Sequence, residues 1–197
     1  MSKRWLAALG VGLLTVLASA CSNATPSATT ATTTTTTTPS NPSTTATTPP
    51  GAALCANVGV SGKMASAAAG HQGVVLLFVN NGSTGCVLYG YPGAAGLNAG
   101  GAQVVQAQRT LTGMMGGLAP GVTTLPRTTL APGQSASAVV EGTDVPSGTE
   151  TNCPTYPSLL VTAPNTKGSV TIPLALPGCS GLQVHPVVPG TSGSTQF

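Results

Sequence analysis

The run Val74-Val75-Leu76-Leu77-Phe78-Val79, closed by Asn80-Asn81-Gly82, decides the fold class. It is too short for a stable helix, and its Val and Phe side chains suit a pleated surface, so it reads as a strand buried on both faces. The Asn-Asn-Gly after it tolerates left-handed backbone and turns the chain. Working outward, the same alternation of short apolar run and turn recurs. Residues 87–91 close on Pro92-Gly93, residues 103–108 carry alternating polar side chains, and residues 135–140 follow the turn Ala131-Pro132-Gly133. Residues 159–162 are short and apolar, and residues 183–188 form a last candidate strand. Val170, Ile172, Leu174 and Leu176 alternate with Ser169, Thr171, Pro173 and Ala175; a period of 2 puts the large residues on one face, and Pro173 pushes that strand to a sheet edge. Residues 64–69, between Gly62 and Gly70, are too few to hold as a helix and read as a loop or single turn. Short strands punctuated in this way predict an all-β fold, an antiparallel β-sandwich.

Composition narrows the function classes. Of 197 residues, 26 are Gly and 17 Pro, while 5% are charged and 3% aromatic. That many helix breakers exclude a coiled coil or helical bundle. The six Lys and Arg are scattered along the sequence, without the basic stripe of a nucleic-acid binder, so no nucleic-acid partner is expected. Glu141, Asp144 and Glu150 are the only acids. They are too few for a carboxylate-based enzyme or a metal cage, and neither enzymatic activity nor a metal or cofactor is expected.

The N-terminus reads as an address. Lys3 and Arg4 precede an uncharged stretch, residues 5–20, shorter than the ~20 residues of a membrane span and suited to a secretory signal. Ala18-Ser19-Ala20 then lead into Cys21, which resembles the bacterial lipobox, although Leu17 sits one place earlier than the usual Leu. Residues 1–20 are thus expected to be a lipoprotein signal peptide and Cys21 the lipidated residue, whose acyl chains anchor the protein to a membrane at about 0.8 kcal/mol per buried methylene. Residues 21–50 include 14 Thr and no charge. They have almost nothing apolar to bury against an ordering cost of about 1–2 kcal/mol per residue, so a disordered linker is expected, its composition that of O-glycosylated stalks. Residues 51–190 form the domain, and residues 191–197 are expected to be a disordered tail. Past Cys21 the chain keeps Lys63, Arg109, Arg127 and Lys167 against three acids, a net charge of +1, which gives no long-range steering of an acidic partner.

The sequence has five cysteines. With Cys21 lipidated, Cys55, Cys86, Cys153 and Cys179 remain, and they allow three pairings. Cys55–Cys86 with Cys153–Cys179 is preferred because each closes a loop of about 25 to 30 residues, worth roughly 3–4 kcal/mol. An exported chain meets the oxidising conditions that disulfides require.

The stretch Asn80–Gly93, NNGSTGCVLYGYPG, followed by Gly101-Ala102-Gln103-Val104, resembles a widespread domain of unknown function. That domain occurs in secreted proteins and lipoproteins of actinobacteria, including mycobacteria and streptomycetes. TLAPGQSASAVV, residues 129–140, and Leu176-Pro177-Gly178-Cys179 are similar to its later hallmarks. The resemblance spans about residues 55–188 and implies an immunoglobulin-like sandwich, two disulfides and an envelope location, with no catalytic residues. Gly100-Gly101 stands where members often carry Asp-Gly.

Candidate chemistry is sparse. Tyr89 and Tyr91 lie two apart, so both should face one side of a strand, either as packing or as a platform for a sugar or peptide. His71 is placed in a loop; His185 alternates with Leu182 and Val184 and should point outward to solvent. Met114-Met115 reads as a flexible loop tip, and the acids as aids to solubility. These features predict a cell-envelope lipoprotein, extracytoplasmic and extending into the cell wall, whose stalk displays a non-catalytic module that binds an envelope protein, glycan or lipid. The alternatives are an inhibitor of a secreted hydrolase or protease, using the loop of residues 111–127, and a structural or antigenic coat protein.

Overall fold

The computed structural model describes residues 51–149 and 151–196. The expected signal peptide, the lipidation site Cys21 and the Thr-rich linker lie outside the described residues. In chain order the strands are β1 (Val58–Met64), β2 (His71–Asn80), β3 (Cys86–Tyr89), β4 (Gly93–Leu97), β5 (Gln103–Gln106), β6 (Gln108–Arg109) and β7 (Arg127–Leu130). They continue with β8 (Ser135–Thr143), β9 (Thr155–Tyr156), β10 (Ser158–Thr162), β11 (Ser169–Ile172), β12 (Leu176–Pro177), β13 (Cys179–Val184) and β14 (Val188–Pro189). The larger sheet runs β1-β2-β8-β13-β6, with β14 also on β8. A second sheet runs β11-β10-β4-β5, and the pairs β12-β9 and β3-β7 complete the body. Among the strand pairs of the described residues, only β13 with β6 is parallel.

The apolar run that opened the sequence reading is the middle of β2. Its register against β8 sets large side chains opposite small ones: Leu76 faces Ala138 and Phe78 faces Ala136. All four are fully buried. They meet Leu159 and Val161 of β10, Leu88 of β3, Leu130 of β7 and Leu182 of β13 in one core, so the sheets stack as a β-sandwich. Each buried Leu or Phe contributes about 1.5–3 kcal/mol. Asn80 ends β2 as a buried tie: its Nδ2 donates to Thr84 O at 2.8 Å and Leu130 O at 3.1 Å, and its Oδ1 accepts from Gly82 N at 2.9 Å. Asn-Asn-Gly turns the chain through this side-chain network and not through left-handed backbone, since none of the three residues takes a positive φ.

Several elements differ from expectation. β4, Gly93–Leu97, was hidden because its sequence GAAGL has no large side chain before Leu97. Small residues are required there: a Cβ on Gly96 would lie 2.6 Å from Tyr156 Cγ and 2.8 Å from Val105 Cγ1. The strand expected to reach residue 91 stops at Tyr89, where Gly90 takes φ +94°. The alternating stretch 169–176 splits in two: β11 ends before Pro173, at the sheet edge as expected, and Leu176 pairs instead with Tyr156. Val170 is 40% exposed while Ile172 is buried, because β11 is only partly covered at that edge.

The tail expected to be disordered is ordered through Gln196. Thr195 N donates to Gly117 O at 2.9 Å, and Gln196 Nε2 donates to Gly116 O at 2.8 Å. Backbone partners supplied by a Gly-rich loop leave no apolar trace in a sequence, which is why composition suggested disorder.

Candidate functional site

Both disulfides form with the preferred connectivity. Cys55 and Cys86 have Cα atoms 4.9 Å apart, and Cys153 and Cys179 have theirs 4.5 Å apart. The first ties the start of the domain to β3, where Cys55 N also donates to Val87 O at 3.0 Å. The second ties the β9 segment to the head of β13. Together they fix the two ribbons that lie outside the main sheets.

β3 and β7 pair from Cys86↔Leu130 to Tyr89↔Arg127. That register puts the Arg127 guanidinium over the Tyr89 ring, 5.3 Å from its centre. Tyr89 is 39% exposed, and Arg127 is exposed beside it. Two residues on, Tyr91 carries a second cation: Arg109 of β6 stands 5.8 Å from its ring centre. Burial raises the Tyr91 phenol above its ordinary value of 10.0, and the Arg109 charge offsets only part of this. Gly90 breaks the strand between the two rings, so each tyrosine takes its own arginine from a different strand. The turn at Asn165 is held to the same place, its Nδ2 donating to Tyr89 O at 3.2 Å. Arg109 and Arg127, 18 residues apart in the sequence, therefore flank one three-residue segment.

A second cluster was not anticipated. Glu141 of β8 is 2% exposed and His185, just past β13, is 0% exposed. Neither is a solvated surface group. His185 was expected to alternate outward, but β13 ends at Val184 and the chain stays buried through Val188, so the period of 2 no longer applies. Glu141 Oε2 lies 3.3 Å from His185 Nε2, and Glu141 Oε1 lies 3.8 Å from His71 Nδ1. The His185 contact has the distance of an ion pair without the alignment of a good hydrogen bond. Met114 N donates to Oε1 at 3.1 Å and Met115 N to Oε2 at 2.6 Å. The Met114-Met115 backbone is thus latched to Glu141, although the Met114 side chain remains 52% exposed. Burial alone would raise the Glu141 carboxyl; the His185 contact, the Met115 N–H, the charge of protonated His185 and the Met114 N–H together outweigh it and hold the group below 4.5.

On the far side of the ring, His185 Nδ1 sits 3.1 Å from Thr110 Oγ1 and 3.2 Å from Thr110 O. Two proton arrangements satisfy this environment. Either Nδ1 accepts from the Thr110 hydroxyl, or the ring is protonated and Nδ1 donates to the Thr110 carbonyl. Both leave a proton on Nε2 facing the carboxylate. Hydroxyl, imidazole and carboxylate stand in the order of a nucleophilic triad. The ring, however, is sealed, and Thr110 Oγ1 also lies 3.2 Å from Gln183 Oε1, to which it can donate. A Cβ on Gly113 would fall 2.4 Å from His185 Cε1 and 2.5 Å from Glu141 Oε1, so only glycine lets the loop close over the pair. The loop of residues 111–127 is therefore clamped at Gly113–Leu118, with Leu118 buried, rather than free along its length.

Among the described residues no group of three or more His, Cys, Asp or Glu is arranged to hold a metal ion. The family model of DUF4232, a domain of unknown function, matches residues 55–188, well over half of the chain. The chain belongs to this family. No curated protein and no solved structure matches it. The DUF4232 region opens at Cys55 and includes both disulfides, both Arg–Tyr pairs and the Glu141–His185 cluster. The motifs that carried the resemblance fall on β3, the β7–β8 turn and the start of β13.

Proposed function

We propose that this DUF4232 protein is an exported, lipid-anchored binding module of the cell envelope, held to the membrane through Cys21 and raised on residues 22–50. Its sandwich presents a ligand surface at Tyr89–Tyr91 and carries out no chemistry of its own. The observation that carries this reading is the exposed Tyr89 ring with Arg127 over it, on a ribbon pinned by the Cys55–Cys86 bridge. Aromatic and arginine side chains dominate contact energies when held rigid at a surface, and preorganisation lowers the entropic cost of binding. The acid–base pair Glu141–His185 is enclosed, which favours a structural role for it. Two disulfides in so small a body support an oxidising compartment.

The test has two arms. Cells expressing the full chain are fed an alkyne fatty acid: the wild type should be labelled and membrane-bound, and Cys21→Ser unlabelled and released. Purified Cys21→Ser chain is then sedimented with isolated envelopes, with and without Tyr89→Ala. Label on the Cys21→Ser chain would remove the anchor from the account, and equal sedimentation of the Tyr89→Ala form would remove the surface.

A further inference from the structure

The geometry points to a more specific ligand: an acidic glycan, a sugar polymer bearing phosphodiester or carboxylate groups, which runs along Tyr89–Tyr91 and is gripped by Arg127 and Arg109. This rests on the reading of that surface as the module's binding face and names its ligand class.

The first support is the state of the two guanidinium groups. Each stands over a tyrosine ring, and among the described residues neither has an ion pair or hydrogen bond. A guanidinium stacked on a ring keeps its five N–H donors in its own plane, free to fork onto the two oxygens of a carboxylate or phosphate. Arg109 and Arg127 are both exposed, so such oxygens can reach them.

The second support is the placement of charge. Beyond residue 50 the chain has four cations, Lys63, Arg109, Arg127 and Lys167. Arg109 and Arg127 meet the Tyr89–Tyr91 segment directly, and Lys167 lies two residues beyond Asn165, whose amide is bonded to Tyr89 O. The described acids are elsewhere. Glu141 is buried under Met114 and Met115, and Asp144 is engaged at the head of β2 by Gln72 Nε2 at 3.1 Å, with its backbone N donating to Gly70 O. A net charge of only +1 gives little long-range attraction, yet the local field at this segment is positive.

The third support selects a polymer and a sugar. The cations sit at either end of a three-residue segment, each with its own ring, rather than converging on one point; repeating anions on a chain fit that better than a single small ion. An exposed aromatic ring beside the cation offers an apolar face to the C–H face of a sugar. An acidic peptide offers carboxylates but no such face.

The experiment uses the exported chain with Cys21→Ser and measures calorimetric binding to four probes: a uronic-acid polysaccharide, a glycerol-phosphate polymer, a neutral polysaccharide and polyglutamate. Binding to at least one of the first two is expected, weakening with salt, with weak or no binding to the last two. Whichever acidic probe binds identifies the source of the anion. Arg127→Gln and Arg109→Gln should each weaken it about tenfold or more, and the double variant about a hundredfold, with unchanged circular dichroism and melting. Arg127→Lys should recover only part of the loss, since an ammonium lacks the fork. Absence of binding to both acidic glycans, equal binding of the neutral polymer, equal binding of polyglutamate, or an unaffected double variant would each overturn the inference. If it fails while Tyr89→Ala still abolishes envelope sedimentation, the binding surface stands and only the ligand class is wrong.

Discussion

Glu141→Gln should destabilise the domain far more than its near-isosteric chemistry suggests. In the wild type each carboxylate oxygen accepts one loop amide, Met114 N at 3.1 Å and Met115 N at 2.6 Å. A glutamine offers one oxygen. Whichever amide then faces the new NH2 is left without an acceptor in a site where the side chain is 2% exposed, at about 1–3 kcal/mol. The remaining bond loses its charge assistance and so about half its strength, and His185 Nε2–H loses its counter-charge. The expected loss is about 3 kcal/mol or more, within the range for breaking a buried pair and a large share of a typical domain stability of about 5–15 kcal/mol. Urea unfolding with the disulfides intact measures it, and exchange of the Met114 and Met115 amides localises it. The pH dependence adds a signed check. The folded carboxyl lies below 4.5, so its stabilisation is fully present above that pH and is lost as pH falls through the folded value. The wild type should weaken across that acid window, and the variant should lack this component. A loss under about 1 kcal/mol at neutral pH, or identical acid limbs in the two proteins, would refute the latch.

Gly113→Ala should lower the melting temperature by overpacking, at about 1–3 kcal/mol, because His185 and Glu141 are too enclosed to yield; a wild-type melt would contradict the closure. Cys153→Ser with Cys179→Ser should cost about 3 kcal/mol in urea unfolding, reduction followed by alkylation, which opens both bridges, should cost about twice as much, and peptide mapping of the non-reduced protein should recover only the Cys55–Cys86 and Cys153–Cys179 pairs. Deleting residues 194–197 removes the acceptors and donors of Ala119, Gly116 and Gly113, so amide exchange across residues 113–119 should accelerate while β2 stays protected.

The sequence made the centre of the fold readable because a continuous apolar run must be buried and Asn-Asn-Gly must turn. Cysteine spacing made the bridges readable in the same way. Strands defined by smallness, such as GAAGL, carry no apolar signal of their own; their identity comes from Tyr156 and Val105, far away in the chain. His185 and Glu141 were misread for a related reason. Alternation holds only while a strand lasts, and Pro186, which cannot donate to a ladder, is the local mark that β13 ends near Val184. A buried acid can be inferred only from its donors, and here these are backbone amides, which every residue but proline possesses. Tyr89 and Tyr91 were noticed as a pair, whereas their arginines come from strands 18 and more residues away and became visible only through the registers of β3 with β7 and β6 with β13.

The most direct measurement is an isotope-edited NMR titration of the exported Cys21→Ser chain with solubilised envelope glycan. The account predicts shift changes concentrated at Tyr89, Gly90, Tyr91, Arg109 and Arg127, with the Met114-Met115 loop and the open groove lined by Gln134, Ser135, Pro189 and Thr191 unmoved. Changes centred on either of those other places, with the tyrosines silent, would contradict it.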